Sequence, residues 1–300
     1  MSRHTHSSGN PIVDRRGAYA EALSSEHAYA EAAEVMAQAL ELAPDWAAGW
    51  NSLGRHYEGS GSIDRAIAAW QRSAELDPAG RYGAALKLAA HGVGGARGMS
   101  AYAETLFDDY AGRFEMSLVD RLGYRVPEAL ADMIVATGRP AGARPVDLGC
   151  GTGLMGVRLR PLVDRLEGVD LSQAMLAEAR RKGIYDRLTR ADLFDFLGGV
   201  QGVDLAAAAD VLNYTGPLPP VLAAVRPVLS PGGRFAFSLE THGGPEPEVL
   251  RTSLRFAHHT DAALGACREA GYAVLATRAA TLRYDRGEPV AGLLVVLAGT

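Results

Sequence analysis

The sequence predicts an α/β protein in which a doubly wound, mainly parallel sheet follows an all-helical segment. From Arg144 onward, short apolar stretches alternate with helical patterns, and this alternation is typical of parallel strands joined by helices. A glycine-rich loop, Gly149–Gly156, separates the first such stretch from the first helical pattern. Residues 26–90 are instead alanine-rich, and their pattern indicates helices. The length of 300 residues, at about 150 per domain, agrees with two domains.

Seven stretches of the second half are predicted to be strands. The last two are joined by Asp285-Arg286-Gly287, a hairpin signal, so one strand is expected to run antiparallel to the others. The predicted strands are Pro145–Leu148, Leu166–Asp170, Leu188–Ala191, Val203–Ala209, Arg234–Leu239, Ala273–Leu282 and Pro289–Leu297.

The helical segment contains a pattern 34 residues long. Trp50-Asn51-Ser52-Leu53-Gly54-Arg55-His56-Tyr57 has the spacing W-x2-L-G-x2-Y, and Trp70 and Pro78 follow at the aromatic and terminal positions. Pro44 precedes Pro78 by 34 residues, which indicates a degraded copy upstream. These residues resemble a tetratricopeptide repeat, so we expect a tetratricopeptide-like segment over residues 26–92. A simple alanine-rich helical hairpin is the alternative.

Composition and charge argue against several classes of protein. Hydrophobic residues make up 48% and charged residues 22%, and the net charge of −5 gives no electrostatic reason to expect nucleic acid or an anionic membrane as partner. The longest apolar run, Val290–Gly299, is about half of a membrane span. Residues 1–25 are polar, and we expect a loose tail there without a signal peptide. The two cysteines, Cys150 and Cys267, cannot form a disulfide framework, so a reducing, cytoplasmic location is expected.

The central motif is Val146-Asp147-Leu148-Gly149-Cys150-Gly151-Thr152-Gly153-Leu154-Met155-Gly156, which runs from a strand through glycines into a helix. Glycines allow a tight turn and let a ligand approach the free backbone amides. Gly151, Gly153 and Gly156 alone also satisfy the fingerprint of a dinucleotide-binding loop. The glycines therefore indicate a nucleotide-type cofactor without deciding which one.

Three carboxylates at predicted strand ends narrow the choice of ligand. Asp147 lies two residues before the first glycine, where it can receive an ammonium group and would repel a pyrophosphate. Asp170 ends the second strand, where a carboxylate can accept hydrogen bonds from both ribose hydroxyls. Asp192 follows the third strand, where an adenine amino group needs an acceptor. A cationic amino-acid nucleoside fits these positions better than NAD, and a nicotinamide-dependent oxidoreductase is the minor alternative.

Several motifs, in this order along the chain, resemble those of class I methyltransferases that depend on S-adenosylmethionine. They are VDLGCGTG at 146–153, GVDLSQAMLAEAR at 168–180, Arg190–Leu193, Asp210–Tyr214 and Leu229–Gly233. With the repeat segment, YAETLFDDYAGRFE at 102–115 and Arg255–His258 resemble the bacterial predicted methyltransferases that carry N-terminal tetratricopeptide repeats. The resemblance implies a Rossmann-like methyltransferase domain over residues 100–300, with S-adenosylmethionine as cofactor.

The same resemblance implies which residues bind the cofactor. Asp147 and the glycine loop would surround the methionyl part and the ribose, and Asp170 would bind the ribose hydroxyls. Asp210 would face the methionyl amino group or the substrate. The loop residues assigned in this way are Gly149, Cys150, Gly151 and Gly153, with the cysteine expected as a small packing residue. The residues assigned to the adenine are Leu171, Met175, Asp192 and Leu193.

The sequence does not identify the methyl acceptor. The Asn/Asp-Pro-Pro-Tyr/Phe motif of enzymes that methylate exocyclic amines of nucleobases is absent, which leaves a small molecule, our preferred substrate, or a protein side chain. Four side chains are candidates for orienting the acceptor or taking its proton, and for each the alternative is packing, capping or solvation. They are Tyr110 on the leading helix, Tyr214 after the fourth strand, His242 after the fifth strand and His258 before the last helix.

Two expectations concern metals and partners. His242, His258 and His259 lack HxH or HxxxH spacing, so no metal site is expected. The short repeat segment is expected to support the enzyme domain or cap its substrate. The alternative function is an interaction module, in which the repeats recruit a protein partner that is methylated or regulated.

Overall fold

The computed structural model describes residues 6–116, 122–138, 144–285 and 287–299. The chain divides into two compact units. The helical unit comprises Met1–Thr105 with Thr252–Leu254, and the sheet unit comprises Leu106–Arg251 with Arg255–Thr300.

Consecutive helices of the helical unit pack against each other. In the described residues its first five helices are α1 (Pro11–Ser25), α2 (Tyr29–Leu42), α3 (Ala47–Gly59), α4 (Ile63–Leu76) and α5 (Ala84–Ala90). A Cβ at Gly54 of α3 would collide with the indole of Trp70 in α4, so these two helices touch where no side chain intervenes. Pro78 follows the end of α4 closely, as expected of a residue that cannot continue a helix. The pair α3–α4 lies on the predicted 34-residue unit, while its identity as a tetratricopeptide repeat stays a prediction.

The expected loose tail over residues 1–25 is corrected by the structure, because α1 occupies most of that stretch. Asn10 caps the first turn through its side chain and Pro11 occupies the first helical position, two signals that start a helix. Val13 and Ala20 are fully buried on one face of α1. The buried face of α1 consists of small residues at helical spacing. The overall polarity of residues 1–25, on which the expectation of a loose tail rests, does not reveal such a face.

The sheet unit alternates strands and helices. Its helices in the described residues are α6 (Met99–Tyr110, of which Leu106 onward belongs here), α7 (Val126–Ala136), α8 (Leu154–Leu159), α9 (Gln173–Lys182), α10 (Leu193–Gly198), α11 (Leu218–Val225) and α12 (Thr260–Glu269). Its strands are β1 (Pro145–Leu148), β2 (Glu167–Asp170), β3 (Arg187–Arg190), β4 (Val203–Ala208), β5 (Leu229–His242), β6 (Glu248–Leu250), β7 (Phe256–His259), β8 (Tyr272–Asp285) and β9 (Glu288–Gly299).

Seven of the strands follow the predicted plan. Their hydrogen-bonded order is β3-β2-β1-β4-β5-β9-β8, and within this set β9 runs antiparallel to both of its neighbours. Strands β8 and β9 form the hairpin predicted at Asp285–Gly287, in which Arg286 lies outside the described residues. The carboxyl ends of β1, β2, β3 and β4 share one edge of the sheet, where open α/β sheets bind ligands.

The predicted count of seven strands with one antiparallel strand is too low, since the described residues contain nine. Strand β7 pairs parallel to the last three residues of β5, Glu240–His242, and β6 pairs antiparallel to β7. The two additional strands have three and four residues. Segments this short carry no readable alternation of apolar and polar residues. His258, which we expected before the last helix, lies in β7 directly before that helix.

The core of the sheet unit covers both faces of the sheet. All four residues of β1 are buried. Phe235 and Phe237 of β5 are fully buried, with ring centroids 4.7 Å apart. Such burial anchors the strands whose ends carry the predicted site. Among the described residues, no helix combines the length and apolar character needed to cross a membrane.

The contact between Gly54 and Trp70 gives a first prediction. Gly54→Ala places a methyl group against the indole, and we expect the protein to lose roughly 1–3 kcal/mol of stability through overpacking. Gly265→Ala is the matched control, because that glycine also lies within a helix and its Cβ would meet no atom within 4 Å. The control is expected to gain up to about 1 kcal/mol from helix propensity. Thermal denaturation measures both changes, and equal effects would contradict the tight contact.

Candidate cofactor and substrate site

The glycine loop joins β1 to α8 with three left-handed residues. Gly149, Gly151 and Gly153 have φ angles of +63°, +53° and +94°. A Cβ at Gly149 would lie 2.6 Å from Val211, so the loop and the segment after β4 approach closely. A Cβ at Gly151 would meet no atom within 4 Å. The middle of the loop therefore faces open space, which leaves its backbone accessible to a ligand.

Asp147 lies in the buried strand β1, just before the glycine loop. Its side chain is 1% exposed, and its Oδ2 accepts a hydrogen bond from the Tyr185 hydroxyl at 2.6 Å. Burial raises the pKa of Asp147 to about 7, although the Tyr185 hydrogen bond acts in the opposite direction. Oδ1 of Asp147 and Oγ1 of Thr152 have no hydrogen-bond partner among the described residues. Two buried polar atoms at the loop thus make no hydrogen bond of good geometry in the described part of the chain, although the backbone of Gly156 also stabilises the ionised form of Asp147.

Tyr185 is a residue of this site that the sequence analysis missed. Its ring occupies a space lined by glycines: a Cβ at Gly168 would lie 2.9 Å from the ring, and one at Gly156 would collide with the hydroxyl group. Gly156, the last glycine of the dinucleotide-type fingerprint, therefore makes room for a tyrosine. Tyr185 precedes β3, and no local motif marks it. The signal that could have found it is the pair of glycines, Gly156 and Gly168, which leave room for a bulky side chain.

Asp170 lies beside the same loop, at the end of β2. Its Oδ2 accepts a hydrogen bond from the Gly151 amide and its Oδ1 from the Ser172 amide, both at 2.8 Å. Burial raises the pKa of Asp170 to about 6, and the amide hydrogen bonds oppose that shift. The charges of Asp147 and Asp170 act on each other. The structure thus brings these two predicted carboxylates together around the loop.

The start of α9 connects Asp170 to the leading helix α6. The Ser172 hydroxyl accepts a hydrogen bond from the Met175 amide at 3.0 Å and donates one to Asp108 at 2.5 Å. Asp108 also accepts from the Ala174 amide at 3.1 Å. Asp108 was not anticipated, since nothing near it in sequence indicates that it reaches α9. Met175, predicted near adenine, has a side chain that is 1% exposed.

The other predicted cofactor residues have local structural partners. Asp192 caps α10, where its Oδ1 accepts a hydrogen bond from the Phe194 amide at 2.8 Å. Leu193 is buried at the start of that helix, and the carbonyl of Leu171 accepts a hydrogen bond from Arg190. Cys150 is buried, and burial raises the pKa of its thiol well above the usual range, so its sulfur is held as the thiol.

Asp210 meets a cation from the chain itself. It adopts a positive φ of 61°, and its two oxygens lie 3.0 and 3.2 Å from Nη1 of Arg283. Arg283 is 2% exposed and also hydrogen-bonds Glu240 through Nη2. The positive partner that we expected from the cofactor or substrate is therefore supplied by β8. Arg283 was missed because it is separated from Asp210 by 73 residues.

Two of the four catalytic candidates lie in one row of aromatic rings. The rings of Tyr110, Phe114, Phe107 and Tyr214 follow one another with centroid separations of 5.7, 6.2 and 5.2 Å. All four are partly exposed. The Tyr214 hydroxyl accepts a hydrogen bond from Nε of Arg255 at 2.7 Å. The leading helix and the segment after β4 thus present one half-buried aromatic surface, which we call the aromatic row.

The other two candidates are histidines at the ends of β5 and β7. His258 is 1% exposed, and burial lowers its pKa to about 4, so the ring is neutral near pH 7. In the described residues neither ring nitrogen of His258 makes a hydrogen bond of good geometry, although a contact with the backbone of Gly216 opposes the lowering of its pKa. His242 accepts a hydrogen bond from the Gly244 amide through Nδ1 at 3.1 Å. Its Nε2 makes no hydrogen bond with any described residue.

The raised pKa of Asp147 predicts a dependence of stability on pH. Because the folded protein holds the proton of this group up to about pH 7 and an unfolded aspartate releases it near 3.8, the stability that protonated Asp147 provides is lost as pH rises through that interval. Asp147→Asn cannot titrate. Between pH 5 and pH 8 we expect wild type to lose on the order of 2–3 kcal/mol more stability than this variant. Urea denaturation at the two pH values measures the difference, and parallel losses would show that Asp147 is ionised throughout.

Comparison with known proteins finds a similarity to one kind of domain over part of the chain. Residues 146–235 match a family model described as a methyltransferase domain. Over 106 residues the chain is 35% identical to human methyltransferase-like protein 27, covering 34% of this chain and 43% of that protein. Over 143 residues it is 34% identical to carboxy-S-adenosyl-L-methionine synthase of Campylobacter curvus (strain 525.92), covering 45% and 57%. The chain thus spans about half the length of the curated relatives that it matches.

A solved structure shows a related likeness. A methyltransferase from Mesorhizobium loti that depends on S-adenosylmethionine is 25% identical, with 57% of this chain and 96% of that chain covered and a TM-score of 0.43. The family match begins at the second residue of β1 and covers the glycine loop and both carboxylates that flank it. Residues 146–235 are thus similar to a methyltransferase domain.

Proposed function

We propose that this protein transfers a methyl group from S-adenosylmethionine to a small-molecule acceptor bound beside the aromatic row. One observation carries the proposal: an open glycine loop lies between the buried carboxylate of Asp147, whose Oδ1 makes no hydrogen bond of good geometry among the described residues, and the partly buried carboxylate of Asp170. A ligand that is cationic and carries a ribose has the chemistry to complete both groups. The match to a methyltransferase domain supports the same conclusion.

The residues present fit the proposed cofactor. A cationic ligand would favour the ionised form of Asp147, whose charge is otherwise opposed by burial. Each oxygen of Asp170 accepts one backbone amide, and a carboxylate oxygen can accept a second hydrogen bond, so ribose hydroxyls can be bound in addition. Gly151 supplies the open space between the two side chains.

When bound, S-adenosylmethionine supplies an activated methyl group, so the protein contributes mainly by positioning the acceptor. In our proposal the aromatic row contacts the apolar part of the acceptor. Because the Tyr214 oxygen accepts from Arg255, its own proton is available for donation to the acceptor. His258, whose ring is neutral near pH 7, is proposed to accept a hydrogen bond from a protonated acceptor.

Calorimetry with S-adenosylhomocysteine tests the proposal. Wild type is expected to bind, and Asp170→Ala is expected to weaken binding at least about tenfold, because the carboxylate that orients the loop and receives the ribose is removed. Asp195→Ala is the control, since Asp195 is exposed on α10 and should leave binding unchanged. No binding by wild type, or a thermal shift with NADH and none with S-adenosylhomocysteine, would overturn the proposed function.

A further inference from the structure

We infer that the methyl acceptor carries an anionic group, a carboxylate or a phosphate, which binds to the guanidinium group of Arg255 while its apolar body lies on the aromatic row. This inference rests on the proposed function and adds the substrate class. It is carried by the excess of guanidinium groups over carboxylates near Tyr214 and by the two terminal nitrogens of Arg255, which make no hydrogen bond in the described residues.

Three guanidinium groups meet two carboxylates in this region. Arg283 binds both Asp210 and Glu240. Arg251 binds the other oxygen of Glu240 at 3.2 Å and the carbonyl of Thr241 at 2.8 Å. Both carboxylates are thereby neutralised by close partners. Arg255 reaches Glu240 only through Nε, at 3.9 Å. Arg255 therefore has the most distant anionic partner of the three guanidinium groups, and a weakly paired charge is costly in a partly buried place.

Arg255 presents its unused donors in a fixed orientation. Its Nε donates to Tyr214, and its guanidinium carbon lies 5.6 Å from the centroid of the Tyr214 ring. Among the described residues, Nη1 and Nη2 have no hydrogen-bond partner, and the side chain is 25% exposed. Two parallel N–H donors match the two oxygens of a carboxylate or phosphate. The tyrosine thus holds the guanidinium in position while its outer edge stays available to a ligand.

The aromatic row defines the other half of the ligand. Tyr214 is in contact with both Arg255 and Phe107, so the cation and the aromatic surface are continuous. The four rings of the row are partly exposed in the described structure. An acceptor with an aromatic or aliphatic body and one anionic end would cover these rings and complete the charge of Arg255. A neutral polar acceptor would do neither.

Small aromatic probes can test this class directly. The full chain saturated with S-adenosylhomocysteine is titrated, by ligand-observed nuclear magnetic resonance, with benzoate, phenyl phosphate and neutral benzamide. We expect one of the two anions to bind at least about tenfold more tightly than benzamide. The stronger of the two anions identifies the oxyanion that the site prefers.

Three variants assign the preference to Arg255. Arg255→Gln should abolish the difference between anion and amide, and Arg255→Lys, which keeps the charge but not the paired donors, should retain part of it and serves if the glutamine variant fails to fold. Arg181→Gln, at an exposed arginine of α9, should change nothing.

Two results would overturn the inference. One is equal binding of anions and benzamide to wild type. The other is a loss of S-adenosylhomocysteine affinity in Arg255→Gln as large as the loss for the anion, which would assign Arg255 to the carboxylate of the cofactor. Failure of the proposed function is distinguishable from both, because wild type would then not bind S-adenosylhomocysteine at all.

Discussion

The close approach of the glycine loop to its neighbours is the constraint on which the rest of the site depends. Val211 fills the space that a side chain at Gly149 would need, and Tyr185 fills the space beside Gly156. Because these positions have no side chains, the Tyr185 hydroxyl reaches Asp147 and the Asp170 carboxylate reaches the Gly151 amide. The same packing that closes the loop therefore also orients the two carboxylates.

Charge is organised differently on the two sides of this loop. Around the loop, the buried Asp147 and the partly buried Asp170 accept hydrogen bonds from hydroxyl and amide donors and have no close cation in the described structure, so desolvation raises their pKa values. Beyond β4, Asp210 and Glu240 are matched by arginines. The side of the loop suits a cationic ligand. On the side beyond β4, Arg255 is the most weakly paired arginine. Such complementarity would separate the binding of a positive cofactor from that of a negative acceptor.

The sequence predicted the parts of the fold that have local and periodic signals. The first four strands lie within about one residue of their predicted bounds, because apolar stretches bounded by turn residues are legible without their neighbours. Strands β6 and β7 escaped prediction because they are too short for a pattern and exist by pairing with the end of β5. The prediction of a loose tail is wrong for the residues of α1, because the buried face of this helix consists of small residues that give no strong apolar signal.

The candidate site likewise has some features with local sequence signals and others that depend on residues distant in sequence. The glycine loop and the positions of Asp147, Asp170 and Asp210 near strand ends follow from the sequence alone, since the order of strand, loop and helix has local signals. Which of these carboxylates the chain itself pairs follows from the packing of distant elements. Asp210 finds Arg283 across 73 residues, whereas one oxygen of Asp147 finds no partner in the described residues. The physical reason is that a buried charge is stabilised by whichever donors the packing brings within hydrogen-bond distance, and those donors come from strands far apart in sequence.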